Sequence, residues 1–294
     1  MISAKIIADS VSPFGKRITT MQLKYPRFIH GEFMTHRVFS RNAASSRAIP
    51  VAKMISQVWK SPATPIHWGA NQAGMQAKDE LAGYKKAIAK GLWKTAGRLA
   101  AMTAYGMTKV GLHKQVSNRI LEPFQWMETV VTATEWDNFF ELRAHPDAQP
   151  EIQALAVAMR DAMNESEPVE RPFHLPYLTE RELTQVTPES FFTVWAPVSA
   201  ARCARVSYLK HDGESPSFED DMKLFERLLG SQPFHASPAE HQAFIEVNCT
   251  YQSRNFMDWT QFREYAESEH YHPGHSNGYK YNLQKIWENF YGSN

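Results

Sequence analysis

Segments with helical periodicity alternate with short strand-like runs along this chain, and that alternation narrows the available folds more than any other feature. From 78 to 121 Ala, Leu, Lys and Met dominate, which predicts helix, divided by Gly91, Gly97, Gly106 and Gly111. Ile152, Leu155, Ala156 and Met159 fall on one stripe and predict a helix over 151–163, with Pro150 in its first turn. The segment 218–229 is amphipathic, with Met222, Phe225, Leu228 and Leu229 on the inner face. The segment 135–143 also reads as helix, and Phe28, Ile29, Phe33 and Met34 have helical spacing after Pro26. Residues 18–23 and 243–247 read as strands, while Val130, Val131 and Thr132 are too few to decide. The mixture predicts an α/β (α+β) class, a mixed sheet with flanking helices.

Between these segments, 61–76 holds Pro62, Pro65, Gly69 and Gly74 and reads as a loop. A Pro-containing connector spans 165–197, a polar loop spans 211–217, and the aromatic, polar tail from 266 has no assigned element. The length of 294 residues allows one large domain or two ordinary ones. Lys and Arg (32) nearly cancel Asp and Glu (31), so net charge gives no case for nucleic-acid or membrane-surface partners. No apolar run approaches the ~20 residues of a membrane helix. No secretory signal is read at 1–10. Cys203 and Cys249 are the only cysteines, which excludes a disulfide scaffold or a Cys-rich zinc site and fits a reducing, cytoplasmic setting.

Polar side chains concentrate in Thr35-His36-Arg37-Val38-Phe39-Ser40-Arg41-Asn42-Ala43-Ala44-Ser45-Ser46-Arg47. Forked Arg donors with Ser and backbone N–H groups suit an anion or a planar base edge, and a solvated basic loop is the alternative. In His235-Ala236-Ser237-Pro238-Ala239-Glu240-His241 the two histidines are six apart, the wrong spacing for metal binding on one helix face. Ser237 and Glu240 instead predict a capping box at a helix start. Within 135–143 the aromatics serve a core, leaving Asn138 and Arg143 as the polar members of interest. Arg202 and Arg205 flank Cys203 and would lower its pKa, although packing is the expected role of both cysteines. His270, His272 and His275 read as part of an exposed aromatic tail, and no metal site is assigned. No Walker loop, Gly-x-Gly-x-x-Gly or Gly-x-Ser-x-Gly elbow is present.

The first cluster resembles the signature of the flavin-dependent thymidylate synthases, Arg-His-Arg, seven residues, then Ser, with Asn-Glu-x-Ser-x-Arg inside. Here Thr35-His36-Arg37 is followed after seven residues by Ser45, with Asn42 and Arg47 in place. Asn118-Arg119-Ile120-Leu121-Glu122-Pro123 is similar to the family's Arg-x-x-x-Pro element. Asn138, Leu142-Arg143 and Asp147-Ala148-Gln149-Pro150-Glu151-Ile152 are similar to its Asn…Leu-Arg…Ala-Gln-x-Glu-Ile block. Ala204-Arg205-Val206-Ser207-Tyr208, the helix at 218–229 and His235 through Phe244 resemble the segments with which the family begins. Here they follow the signature, so the motif order looks circularly permuted, with the 165–197 connector as the join. One catalytic domain over 1–294 is expected. It comprises a signature and nucleotide half (1–165), a connector (166–198), an FAD-binding half (199–252) and a tail (253–294).

The resemblance implies FAD-dependent reductive methylation of dUMP to dTMP, with methylenetetrahydrofolate and NADPH as co-substrates, in a homotetramer with sites between subunits. It places His36, Arg37, Val38, Asn42, Asn138, Ser207, His235, Ser237 and Glu240 on FAD, and Ser45, Arg47, Arg119 and Arg143 on the nucleotide. Arg143, together with Arg47, would donate to the pyrimidine carbonyls and stabilise charge as C5 becomes nucleophilic. Flavin then does the redox step, and no thiolate is needed. Two departures stand out: Thr35 replaces the first Arg, and Ala43 replaces the usual Glu. Glu32, where the family often has Gln, is expected to supply the relocated carboxylate to the substrate. These departures keep open a dCMP methylase or nucleotide hydroxymethylase, and a retired protein that only binds nucleotide or flavin.

Overall fold

The computed structural model describes residues 1–74, 76–206, 216–246 and 252–292. β1 (Ser3–Val11) and β2 (Arg17–Pro26) form an antiparallel hairpin. Its turn uses Gly15 at φ +86°, a conformation costly for residues with a Cβ. A 3₁₀ turn (Arg27–Ile29), α1 (His30–Phe33), β3 (Ser40–Ala43), α2 (Val51–Lys60), α3 (Gly83–Lys109) and α4 (Lys114–Ser117) follow. Next come a second 3₁₀ turn (Arg119–Phe124), β4 (Trp126–Ala133), α5 (Asp137–Arg143), α6 (Pro150–Asn164) and β5 (Val169–Glu170). These strands form a five-stranded sheet in the order β3-β4-β2-β1-β5, antiparallel except for the β1–β5 pair.

The second half starts with β6 (Phe173–His174), α7 (Glu180–Leu183), α8 (Pro188–Ser190), a π-helical turn (Phe191–Trp195), α9 (Ala196–Ala204) and α10 (Phe218–Leu229). A 3₁₀ turn (Ser237–Glu240), β7 (Ala243–Phe244), β8 (Gln252–Ser253), β9 (Phe256–Met257), β10 (Thr260–Gln261), α11 (Phe262–Tyr271) and α12 (Asn277–Tyr291) complete it. β7 lies between β10 and β6 in a small antiparallel sheet, and β8 pairs with β9.

Period-2 alternation gives the large sheet two buried faces. Met21, Leu23, Tyr25, Met127, Val131 and Ala133 pack with Phe139 of α5 and with Ile152, Leu155, Ala156 and Met159 of α6. Each of those α6 side chains larger than Ala contributes roughly 1.5–3 kcal/mol by burial. On the other face Val130 meets Cys203 and Val206, and Ile18 meets Trp259. The second half has its own aromatic core around Phe191, Phe192, Phe244 and Phe262.

The helices at 137–143 and 150–164 match the sequence reading, as does the strand over 18–23, and 130–132 resolves into β4. Four expectations change. α3 runs unbroken through Gly91, Gly97 and Gly106. A Cβ at Gly97 would meet the Phe124 ring at 3.3 Å, so this glycine serves helix–turn packing, and only Gly111, at φ +84°, lies beyond the helix end. On α10, Leu228 and Leu229 are buried and Phe225 packs against the core as expected, but Met222 is only half-buried and the face also takes in Leu224 and Asp221, which Arg202 and Arg205 hold inside. The tail is two helices that bury Phe262, Tyr265, Leu283 and Ile286. Phe173, Phe191 and Phe192, within the expected connector, are core residues.

Cys203 is fully buried, and its flanking arginines turn to Glu182 and Asp221. Burial pushes its thiol pKa up, not down. Cys249 lies outside the described residues.

Candidate active site

The signature segment becomes a strand despite its polar sequence. Ser40, Arg41, Asn42 and Ala43 have little intrinsic strand preference, and β3 is set by its ladder to Thr132, Val131, Val130 and Thr129 of β4. Alternation then sends Ser40 and Asn42 to one face of the sheet and Arg41 to the other.

On the Arg41 face, Glu32, His36 and Arg143 come together. Arg143 ends α5, where a cation complements the helix dipole. Its Nε donates to His36 Nε2 (3.0 Å) and its Nη1 to the Glu32 carboxylate. His36 is buried edge-on against Phe139, with ring centroids 4.8 Å apart. Burial lowers its pKa first, and Arg143 and Arg41 lower it further, so the imidazole is neutral and accepts the Arg143 proton at Nε2. Arg143 Nη2 has no partner among the described residues. Asn138, one turn earlier on α5, is exposed, as are Arg37 and Val38. The Val38 carbonyl accepts from Asn255 Nδ2 at 3.0 Å.

On the opposite face, Asn42 Nδ2 donates to the Cys203 carbonyl at the end of α9 (2.8 Å). Gln261 Nε2 donates to Ser40 Oγ (3.0 Å) and to the Glu240 carbonyl (3.2 Å), which ties the Ser237–Glu240 turn to β3. The expected capping box is not formed, because Ala236 occupies the cap position and Glu240 pairs with Arg263. Burial raises the Glu240 pKa, opposed by Arg263 and Arg41. His235 and Ser237 are exposed, and their side chains are unpartnered among the described residues. His241 is buried on Thr132 (2.9 Å), its pKa pushed down to about 3 by desolvation.

A third group surrounds Glu122. It accepts from Ser46 Oγ (2.8 Å) and Arg119 Nη1 (2.9 Å) and pairs with Arg27 (3.2 Å). Asn118 Nδ2 holds the Ser46 and Ile49 carbonyls (2.7 and 3.0 Å) and so clamps the turn carrying Ser45 and Arg47. Among the described residues Ser45 Oγ accepts only the Arg47 amide (3.3 Å), and Arg47 is exposed. Among the described residues no hydrogen bond or ion pair joins Arg47 or Arg119 to the Arg143 cluster. Ser207 lies outside the described residues. Among those described, no three His, Cys, Asp or Glu side chains stand together as a metal site.

Glu122, Arg27, Arg41 and Arg263 were not read from the sequence as site residues. The three-residue spacing of Arg119 and Glu122 offered a signal for one. Nothing local signals Arg263, which lies 23 residues from Glu240.

A family model described as thymidylate synthase complementing protein matches residues 4–169, which carry β1–β4 and α1–α6. This match makes the protein an enzyme of the methyltransferase class. The chain belongs to this family, that of the flavin-dependent thymidylate synthases. The match ends before the second set of motif segments at 204–244. No curated protein sequence matches the chain. Two solved structures similar to it are of a UMP/dUMP methylase PolB from Streptomyces cacaoi. The one bound with 5-Br dUMP has 15% identity and a TM-score of 0.47, covering 56% of this chain and 90% of that one. The one bound with 5-Br UMP has 16% identity and a TM-score of 0.47, covering 56% and 89%. No helix among the described residues is long and apolar enough to cross a membrane.

Proposed function

We propose that the protein methylates a deoxyuridine nucleotide at C5, converting dUMP to dTMP with methylenetetrahydrofolate as carbon donor and NADPH as reductant. The observation that carries this reading is the juxtaposition of Arg143, His36 and Glu32 beside the signature strand, with donors of Arg143 left unused. The free edge of Arg143 would donate to a pyrimidine carbonyl and favour the negative charge that makes C5 nucleophilic. His36, accepting from Nε, fixes the plane of the guanidinium. Arg119, Ser45 and Arg47 would take the phosphate through charge-assisted bonds.

The residues present fit FAD. Arg37 is an exposed cation suited to a diphosphate, and Asn138, His235 and Ser237 offer polar side chains unpartnered among the described residues. His36, Val38, Asn42, Ser207 and Glu240 complete the proposed set. When bound, FAD supplies the hydride chemistry. Contacts from β3 to α9 and to the Ser237–Glu240 turn support a permuted arrangement, in which motif segments distant in sequence meet in space. Membership of the family supports a cytoplasmic homotetramer in which the site is shared between subunits.

The test is tritium release from C5-labelled dUMP with FAD, NADPH and methylenetetrahydrofolate, together with the mass of the product. Release with a methylated product is expected, and no release from dUMP overturns the reading. A specific observation favours a second reading, a dCMP methylase or nucleotide hydroxymethylase. Ala43 lacks the usual carboxylate while Glu32 places one on Arg143. C5-labelled dCMP assayed in parallel separates the two.

A further inference from the structure

Between Phe33 and Leu121 the only acidic residues are Asp79 and Glu80, while fourteen Lys and Arg fall in the same stretch. The near-neutral net charge conceals this lobe because the acids lie elsewhere in the chain. α2 and α3 belong to the lobe and pack on each other. Between them is a cavity of about 480 Å³, lined on an apolar floor by Trp59, Lys60, Tyr105, Lys109, Ser56 and Thr108. No carboxylate lines it among the described residues. Trp59 and Tyr105 remain 47% and 54% exposed, so neither ring is spent on the core. Each already attracts a cation: Arg98 lies 5.8 Å from the Trp59 ring centroid and Lys109 5.1 Å from that of Tyr105.

We propose that this cavity binds a flat aromatic ring bearing negative charge. The ring would pack against Trp59 and Tyr105, and its anionic groups would meet Lys60 and Lys109, with Ser56 donating its hydroxyl; the Thr108 hydroxyl is already given to the Tyr105 carbonyl (2.6 Å). An aromatic face gives stacking, and a carboxylate-free rim gives charge complementarity in a partly desolvated setting. The cavity lies in the same lobe as the proposed phosphate residues: α2 begins four residues after Arg47, and α3 packs on the turn that carries Arg119. The choice of ligand rests on the function proposed above. Two sources there share this chemistry, the benzoyl-polyglutamate tail of a pteroylglutamate and the phosphate-bearing pyrimidine nucleotide.

Calorimetric titration of the full chain with pteroyltriglutamate and with dUMP tests the site, comparing wild type with the Lys60→Glu/Lys109→Glu double variant and with Trp59→Ala. All three positions border solvent, and circular dichroism verifies the fold. A loss of tenfold or more in pteroyltriglutamate affinity, with dUMP unchanged, assigns the cavity to the polycarboxylate tail. The converse assigns it to the nucleotide. Failure of both probes to bind wild type, or affinities unchanged within twofold in both variants, overturns the proposal. Tritium release from dUMP on the same samples keeps the two ideas separate. Normal release with lysine-independent binding sinks the cavity alone, whereas lysine-dependent binding without release sinks the methylation reading alone.

Discussion

Two arginine–carboxylate clusters in this molecule use the same residue types and differ in what they leave over. Under α10, the Asp221 side chain is fully buried and held by Arg202 (2.9 Å) and Arg205 (2.5 Å). Arg202 also binds Glu182 (2.6 Å) and the Tyr177 carbonyl (2.9 Å). That cluster is nearly saturated and ties α9, α10 and the turn of α7 together. At the end of α5, by contrast, Arg143 and Glu32 are 22% and 30% exposed, and part of the guanidinium has no partner among the described residues. Saturated, desolvated charge marks a structural joint, whereas charge with spare donors at an accessible edge marks a place for a ligand.

The two clusters should therefore break in different ways. Asp221→Ala leaves two arginines facing a buried gap and is expected to cost about 3–5 kcal/mol of stability. A shift of the urea midpoint at unchanged m-value measures it, and a loss below about 1 kcal/mol would mean that the joint is dispensable. Arg143→Ala should do the reverse. Turnover is expected to fall by about 10²–10³-fold, the usual effect of removing a preorganised donor, with the melting temperature almost unmoved. Retained turnover would count against the site assignment, and a collapse of the fold would place Arg143 in the structural class.

A buried polar chain on the sheet sharpens the contrast by titration. Ser10 bonds His174 (2.9 Å), His174 bonds Thr20 (2.7 Å), Thr20 bonds Thr132 (2.7 Å) and Thr132 bonds His241 (2.9 Å). Burial pushes both imidazoles down to about 3, so each stays neutral in the fold. The unfolded chain takes up a proton at each near pH 6.5. Between those values the unfolded state binds more protons, so stability falls as pH drops and is full above about pH 6.5. Each histidine contributes up to about 1.4 kcal/mol per pH unit in that window. In His241→Gln the slope of unfolding free energy between pH 6 and pH 4 should flatten by about that amount. An unchanged slope would show that His241 titrates normally in the fold.

These two clusters also show how far the sequence could be read. Apolar stripes such as Ile152, Leu155, Ala156 and Met159 fix a helix face locally, so α6 was legible, and so was Arg143 as the polar end of an aromatic helix. The polar identity of 35–47 was legible too, but its conformation was not. Ser-Arg-Asn-Ala carries no strand pattern, and β3 exists because β4 supplies its hydrogen bonds. The burial of Asp221 on the inner face of α10 was not legible, for a related reason. Asp221 reads as solvent-facing until Arg202 and Arg205, 19 and 16 residues away, draw it inside. The Glu240–Arg263 and Ser46–Glu122 pairs depend equally on chain segments that only the fold brings together.

The smallest predicted effect is the most informative about substrate. Glu32 does not occupy the Ala43 position, yet its carboxylate lies on Arg143. Glu32→Gln keeps the shape and removes the charge. If the carboxylate only steadies the guanidinium, the amide oxygen still accepts from Nη1 and turnover should fall by no more than about tenfold, roughly 1.4 kcal/mol. If the carboxylate also accepts a proton from the base, the change should depend on the base. A cytosine offers an exocyclic amine and a uracil only its ring N–H, so the ratio of dCMP to dUMP turnover would shift in the variant. Equal losses for both nucleotides place Glu32 as a positioning residue for Arg143, and a changed ratio makes it a reader of the base. A variant indistinguishable from wild type on both would leave Arg143 fixed by His36 alone and remove Glu32 from the site.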